Sequence, residues 1–346
     1  MCKRSIIPLA VLSRLAEDSD IAEDSRVAFL ATAASELSWR TLRTAHTRAS
    51  QAGLVASGDA IGTVIAALAK VPETPVFDCR QTTSLPGVAV ADPAASKDAT
   101  VRRAFTETGA VVRFYRECFG RNSVDNAGMT LISSVHYGVK YANAFWNGSQ
   151  MAYGDGDGKI FLDFTKSNDV IGHELTHGVT QFTAGLTYEN EPGALNESIS
   201  DVFGSMFRQW QAGQSADKAD WLVGKDIIGP GALGKGYTCL RDLADPGASH
   251  CLSPQPAHYR DYVPGSDPHD GSGIPNHAFY LAATKHGGNS WEAVGSVWYA
   301  ALTSSKARKN MTFKAFAKLT RQLAADRSGA DSPATAIDAA WTEVGL

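Results

Sequence analysis

The stretch Val170-Ile-Gly-His-Glu-Leu-Thr-His177 is the most telling in this chain, because it sets His173 and His177 four residues apart with Glu174 beside the first. Positions i and i+4 share one face of a helix, so both imidazoles can reach a single ion. Glu174 then stands beside that ion, where a carboxylate can take a proton from water. The pattern His-Glu-x-x-His is short, and it also arises in ordinary helices whose histidines are merely hydrogen-bonded. Two neighbouring features tip the balance. Val170, Ile171, Leu175, Val179 and Phe182 surround the motif with apolar residues, as a helix buried at a domain junction requires, and Gly185 offers a stop. Twenty residues after His177, Glu197 and Asp201 are again i and i+4 within Asn196-Glu-Ser-Ile-Ser-Asp201. One of these carboxylates can ligate the metal while the other takes a ligand histidine's free N–H. A set of N, N and O donors with one open position suits zinc better than calcium or magnesium.

At this spacing the two elements resemble those of the thermolysin-like zinc metallopeptidases. Three further stretches are similar to family segments in the same order: Asn143-Ala-Phe-Trp-Asn-Gly-Ser-Gln-Met-Ala-Tyr-Gly-Asp-Gly-Asp-Gly158, Ala184-Gly-Leu-Thr-Tyr188 and Ser272-Gly-Ile-Pro-Asn-His-Ala-Phe-Tyr280. The resemblance runs from about residue 75 to residue 346. It implies an α+β, two-domain architecture: a strand-rich N-terminal domain (75–184) that includes the zinc-binding helix, a mainly helical C-terminal domain (185–346), and the active-site helix at their junction.

The resemblance also implies roles. His173, His177 and Glu197 are expected to hold one zinc ion, with Asp201 behind a ligand histidine and Glu174 as general base of a peptide hydrolase. Tyr188 and His269 are expected as donors to the developing oxyanion; a structural tyrosine and a solvated loop histidine are the plainer alternatives. The family commonly places an aspartate five residues before this histidine. Pro264 stands there instead, with Asp267 and Asp270 close by, which leaves the orientation of His269 open. Asn143 and Ala144 resemble a substrate-binding edge strand, against the alternative of an ordinary exposed strand end. Arg241 matches an arginine that binds a substrate carbonyl, or else makes a surface salt bridge. Phe161, Phe164, Val170, Val223 and Leu240 fall where the family builds its pocket for a bulky apolar residue after the scissile bond, or simply belong to the core.

Residues 1–50 differ from the rest of the chain: they contain no glycine and carry Leu12, Leu15, Val27, Leu30, Leu37 and Leu42 at helical spacing. They read as a small helical cap. The Ile-Pro-containing stretch from Cys2 to Leu12 is similar to the start of the short prosegments of protealysin-like members, which implies a zymogen whose residues 1–50 cover the cleft. Residues 51–74 are expected to be a processing linker, since Gln51–Lys70 is rich in small residues. A thiolate of Cys2 could contact the metal, but its spacing does not require it and a packed or free thiol is the preferred reading. Strands are expected at Val76–Asp78, Val88–Val90, Met129–Val135, Ala142–Trp146, Met151–Tyr153 and Lys159–Leu162, a helix at Thr100–Cys118, and a final helix after Ser332-Pro333.

Composition narrows the function classes. A net charge of −4 gives no reason to expect a nucleic-acid or acidic-membrane partner, and no apolar run approaches the roughly 18–20 residues that cross a bilayer. The basic and then apolar start Met1–Leu12 is interrupted by Pro8 and lacks a small-x-small cleavage site, so it is a poor signal peptide and the compartment stays open. Five cysteines are too few for a disulfide scaffold; Cys239 and Cys251 either pair or remain buried thiols. The double calcium site common in the family is expected to be absent or reduced, because Asp169 and Asp220 persist while Arg208, Leu222 and Lys225 replace other ligand positions. Two rival readings remain: a noncatalytic or permanently inhibited zinc-containing peptide-binding protein of the same fold, and a zinc hydrolase of nonpeptide amides.

Overall fold

The computed structural model describes residues 4–50, 72–327 and 332–346. Cys2 and nearly all of the expected linker lie outside the described residues. Two helices, Leu9–Glu17 and Glu23–Ser50, come after the short strand β1 (Arg4–Ser5). Strands β2 (Val76–Asp78), β3 (Val88–Ala89), β4 (Ile132–Val135), β5 (Ala144–Trp146) and β6 (Gln150–Tyr153) complete one six-stranded sheet ordered β1-β5-β6-β4-β2-β3. Pairing is parallel where β4 meets β2 and β6, and antiparallel elsewhere. The N-terminal segment therefore supplies the edge strand beside β5, with Arg4 opposite Trp146 and Ser5 opposite Phe145. Beyond the sheet the chain is mainly helical, apart from a two-residue pairing of β7 (Leu222–Val223) with β8 (Arg241–Asp242). Among the described residues no helix is long and apolar enough to cross a membrane.

Helix Ala99–Phe119 lies over the sheet, and its first turn is capped by the Asp98 carboxylate, which accepts the N–H groups of Thr100 and Val101. The helix Asn168–Gln181 packs against Asn190–Ala212, and glycine is required at the crossing. A Cβ on Gly204 would stand 2.5 Å from the Asp169 carbonyl oxygen, and one on Gly172 would stand 3.1 Å from the Gly204 Cα. Close approach of the two backbones is what brings His173 and His177 to Glu197 and Asp201. Val170, Ile171, Leu175 and Val179 are fully buried, each removing an aliphatic side chain from water at about 1.5–3 kcal/mol.

Several local expectations change. The helix Asn168–Gln181 stops before Gly185, at a Phe182 N–H bond to the Gly178 carbonyl, and the Phe182 side chain is exposed. Lys159–Leu162 is no strand: the Asp157 carboxylate accepts the N–H groups of Lys159, Ile160 and Phe161, which curls the segment and leaves only an isolated bridge from Phe161 to Ile228. In the second N-terminal helix Val27 and Leu30 are each 57% exposed. The buried face instead carries Ser25, Ala28, Phe29, Thr32, Ala33 and Glu36. Leu37 and Leu42 have side chains outside the described residues. The last helix is Ala334–Glu343, one residue later than the Ser332-Pro333 start implies.

Candidate active site

His173, His177, Glu174, Glu197 and Asp201 are fully buried where the two glycine-contacting helices meet. The imidazoles of His173 and His177 stand 4.7 Å apart and nearly perpendicular. Their Nδ1 atoms are committed: His173 Nδ1 to Asp201 Oδ1 at 2.8 Å, His177 Nδ1 to Asn196 Oδ1 and Ser200 Oγ, both at 2.9 Å. Both Nε2 atoms consequently face Glu197, at 3.3 Å and 3.4 Å from its two oxygens. Glu197 Oε1 accepts from the Tyr188 hydroxyl. His173 Nε2 and Glu197 Oε2 are buried with no hydrogen-bond partner. Two buried, partnerless ligand atoms that converge on one point are costly unless a cation lies among them. The N, N, O donor set therefore fits a zinc ion.

Electrostatics agree with that fit. Burial works against charge on His173, but Asp201 and Glu197 raise it to about 9. Burial would push Glu197 up, yet His269, His177 and His173 hold it well below the usual carboxylate range. Asp201 is likewise held low against burial by the Arg241 guanidinium and His173. Glu174 behaves oppositely. Burial, assisted by the negative charge of Glu197, pushes its carboxyl well above the usual range, although His173 and a hydrogen bond from Trp146 N–H oppose the shift. Trp146 N–H donates to Glu174 Oε2 at 3.0 Å, and Oε1 has no partner. A carboxyl with a raised affinity for protons and one unengaged oxygen beside a metal site is suited to proton transfer.

The remaining sequence-predicted residues surround a cleft that the N-terminal segment enters. Arg241, fully buried rather than part of a surface salt bridge, donates from Nε and Nη2 to the two Asp201 oxygens at 2.8 and 2.7 Å, and from Nη1 to the Ile6 carbonyl at 3.0 Å. Asn143, also buried instead of being an exposed strand end, bonds the backbone of Ile7, while the Ala144 carbonyl accepts from Ile6 N–H at 3.3 Å. His269 is no solvated loop residue. Its Nδ1 is 2.6 Å from Asp267 Oδ1, and its Nε2 is 2.8 Å from the Ser5 carbonyl oxygen. Asp267 thus does the orienting that Pro264 cannot, and its place as the cap of the short helix Pro268–Gly271 fixes it. Tyr188 is turned to Glu197, with its ring 6.4 Å from that of His269. Phe161, Val170 and Leu240, like Phe164 and Val223, are buried in the same apolar cluster as Ile6 and Ile7, and Phe29 meets Phe161 edge-on at 5.9 Å.

Sequence reasoning missed several supports. Asn276 adds a 2.9 Å bond to Asp201 Oδ2, and Gln255 bonds the His269 carbonyl and Ser272. Glu36, on the N-terminal segment, accepts from Ser5 Oγ at 3.2 Å and from the Tyr141 hydroxyl at 2.5 Å. The apolar spacing read from the sequence, through Val27 and Leu30, pointed to the opposite face and gave no sign of it. Where the calcium ligands were expected to be lost, Arg208 lies 2.7 Å from Asp226 and 3.6 Å from Asp169, and Lys225 pairs with Asp220.

A buried pair of helix-borne histidines and a glutamate, beside a strand, β5, that holds peptide backbone, defines a metallopeptidase. Sequence models of the thermolysin metallopeptidase match this chain twice, the catalytic domain over residues 82–181 and the alpha-helical domain over residues 184–346. An extracellular metalloprotease of Pectobacterium carotovorum subsp. carotovorum is 43% identical over 282 residues, spanning 78% of this chain and 80% of its own length. Protease PrtS of Photorhabdus sp. (strain Az29) is 44% identical over 284 residues, 78% of this chain and 76% of its own. The solved precursor of protealysin, a metalloproteinase from Serratia proteamaculans, superposes with a TM-score of 0.82 at 38% identity, covering 99% of both chains. The chain belongs to the thermolysin metallopeptidase family, and it is a zinc endopeptidase with the mixed-sheet and helical domains of that fold.

Proposed function

We propose that this chain is the zymogen form of the endopeptidase, with residues 1–50 as prosegment, 51–74 as processing linker, and catalytic domains at 75–184 and 185–346. One observation carries the reading: Ser5, Ile6 and Ile7 lie along β5 with their backbone groups bonded to His269, Ala144, Arg241 and Asn143, as an extended peptide substrate would. The Ser5–Ile6 peptide bond stands in for a scissile bond. The occupied cleft is shut to other peptides until the segment leaves.

In the open enzyme His173, His177 and Glu197 would hold the zinc ion, while Asp201 and Asn196 keep the imidazoles in the tautomer that presents Nε2. Zinc in that position supplies Lewis acidity toward a peptide carbonyl and toward water. Glu174 accepts the proton from the attacking water through Oε1 and returns it to the departing amine. His269, at hydrogen-bond distance from the Ser5 carbonyl, is placed to donate to the oxygen that develops negative charge. Tyr188 joins it by turning from Glu197. Arg241 and Asn143 hold the peptide on the C-terminal side of the cleavage point. Ile6 is fully buried among apolar residues, which supports cleavage on the N-terminal side of bulky hydrophobic residues, with Phe161, Val170 and Leu240 lining the pocket. The ion pairs at Asp169, Asp220 and Asp226 support loss or reduction of the double calcium site.

The test compares the full chain with the same chain nicked within 51–74 and freed of its N-terminal piece. Peptide cleavage should rise on nicking and fall again when a peptide of residues 1–50 is added back. Equal cleavage before and after, at equal zinc content, would sink the zymogen reading. Two tightly bound calcium ions per chain would refute the calcium assignment.

A further inference from the structure

We propose that Cys239, His250 and Cys251 form a second metal site, distinct from the catalytic cluster and suited to a thiophilic closed-shell cation of the Zn2+ or Cd2+ kind. One donor atom from each of the three residues lies within 4.8 Å of the other two. Both cysteines are buried, and the backbone holds them face to face. They form an isolated parallel bridge, locked by Thr238 N–H to the His250 carbonyl at 2.9 Å, Leu252 N–H to the Cys239 carbonyl at 3.0 Å and Ser253 N–H to the Leu240 carbonyl at 2.9 Å.

The distance between the sulfurs decides between a metal and a covalent link. The two Sγ atoms are 3.7 Å apart. A disulfide needs about 2.05 Å. Two thiolates on a tetrahedral ion, each at about 2.3 Å, are separated by about 3.8 Å, the edge of the tetrahedron. The observed spacing is far too long for a covalent bond; it suits sulfurs sharing an ion as well as it suits two thiols in contact, and the neighbouring imidazole favours the ion.

The surroundings complete a coordination shell. Asp242 Oδ1 is fixed by the N–H groups of Ala244 at 2.7 Å and Asp245 at 3.2 Å, which leaves Oδ2 facing His250 Nε2 at 3.2 Å. A carboxylate against an imidazole is the usual arrangement behind a metal-bound histidine. The His250 side chain is 38% exposed, so an ion has a route in. Two sulfurs and a nitrogen select a soft cation over calcium or magnesium. Binding releases both thiol protons to solvent. The site closes the loop from Cys239 to Cys251 at its base, and that loop carries Arg241, which grips Asp201 and the Ile6 carbonyl.

The experiment titrates Cd2+ into the full-length, thiol-reduced protein loaded with one equivalent of zinc and reads thiolate-to-metal charge-transfer absorption. The catalytic cluster contains no sulfur, so it cannot produce this band. The expected result is a band that saturates at one equivalent, is absent in the Cys239→Ser/Cys251→Ser variant and needs about tenfold more Cd2+ in His250→Ala. On the wild-type protein, bound Cd2+ should also protect Cys239 and Cys251 from alkylation, mapped by peptide mass, which requires no variant to fold. No band, a band unchanged in the double variant, protection confined to other cysteines, or, before reduction, an intact mass lower by two hydrogens with both thiols unreactive would each overturn the proposal.

Discussion

Ile7 and Asn143 exchange two hydrogen bonds: the Ile7 N–H donates to Asn143 Oδ1 at 3.0 Å, and Asn143 Nδ2 donates to the Ile7 carbonyl at 3.2 Å. A reciprocal pair of this kind grips peptide backbone whatever the side chain, at about 1 kcal/mol net per bond. Asn143→Ala in the nicked enzyme should lower kcat/KM on a peptide substrate about tenfold or more, mainly through KM. Added residue 1–50 peptide should inhibit the variant more weakly. Unchanged kcat/KM would mean that Asn143 holds only the resident segment.

Glu174→Gln keeps the shape and burial of the side chain but removes the proton acceptor. Zinc content should remain that of the wild type, while kcat falls by about 10²–10⁴. Metal analysis alongside turnover separates this outcome from simple loss of the ion.

Arg241 and Asp201 form a fully buried, two-point ion pair. Removing one partner of such a pair leaves a charge stranded at a cost of roughly 3–5 kcal/mol. Arg241→Ala should therefore lower the melting temperature by about 10 °C, at roughly 2–4 °C per kcal/mol. Arg241→Lys should fall between, because it restores the charge without the planar fork. Calorimetry of both variants checks the order.

His136 ties Asp155, at 2.8 Å from Nδ1, to the helix-capping Asp98, at 2.9 Å from Nε2. The Asp155 hydrogen bond, against burial and with help from Asp98, raises His136 from 6.5 to about 9. A raised pKa in the fold means stability that is fully present below pH 6.5 and is lost as pH rises through 9. With solvent screening, the contribution is on the order of 1 kcal/mol. Wild type should exceed His136→Gln in stability at pH 6, and the two should converge by pH 10 in denaturant titrations. A constant difference across that range contradicts the assignment.

Chelation should abolish peptide cleavage and lower the melting temperature, because it leaves His173 Nε2 and Glu197 Oε2 buried without a partner. Zinc added back should restore both, as followed by thermal scans and an activity assay in parallel.

Whatever depends on local period was legible in the residues alone. His173 with His177, and Glu197 with Asp201, share helix faces because four residues only slightly exceed one turn, and the apolar Val170, Ile171, Leu175 and Val179 mark the same helix as buried. The helix Ala99–Phe119 and most strands came from the same kind of pattern. Contacts between residues far apart in the chain had to wait for the folded molecule. The contact at Gly172 and Gly204 unites the two ligand helices, and Asp267 takes the orienting place that Pro264 leaves empty. Asp157 curls Lys159–Leu162 out of the sheet, and Glu36 faces the cleft while Val27 and Leu30 face water. Above all, Ser5–Ile7 adds to β5 through main-chain hydrogen bonds, which every residue but proline can donate. Backbone pairing leaves little trace in side-chain pattern, so the chain's hold on its own cleft became visible only once the strands lay side by side.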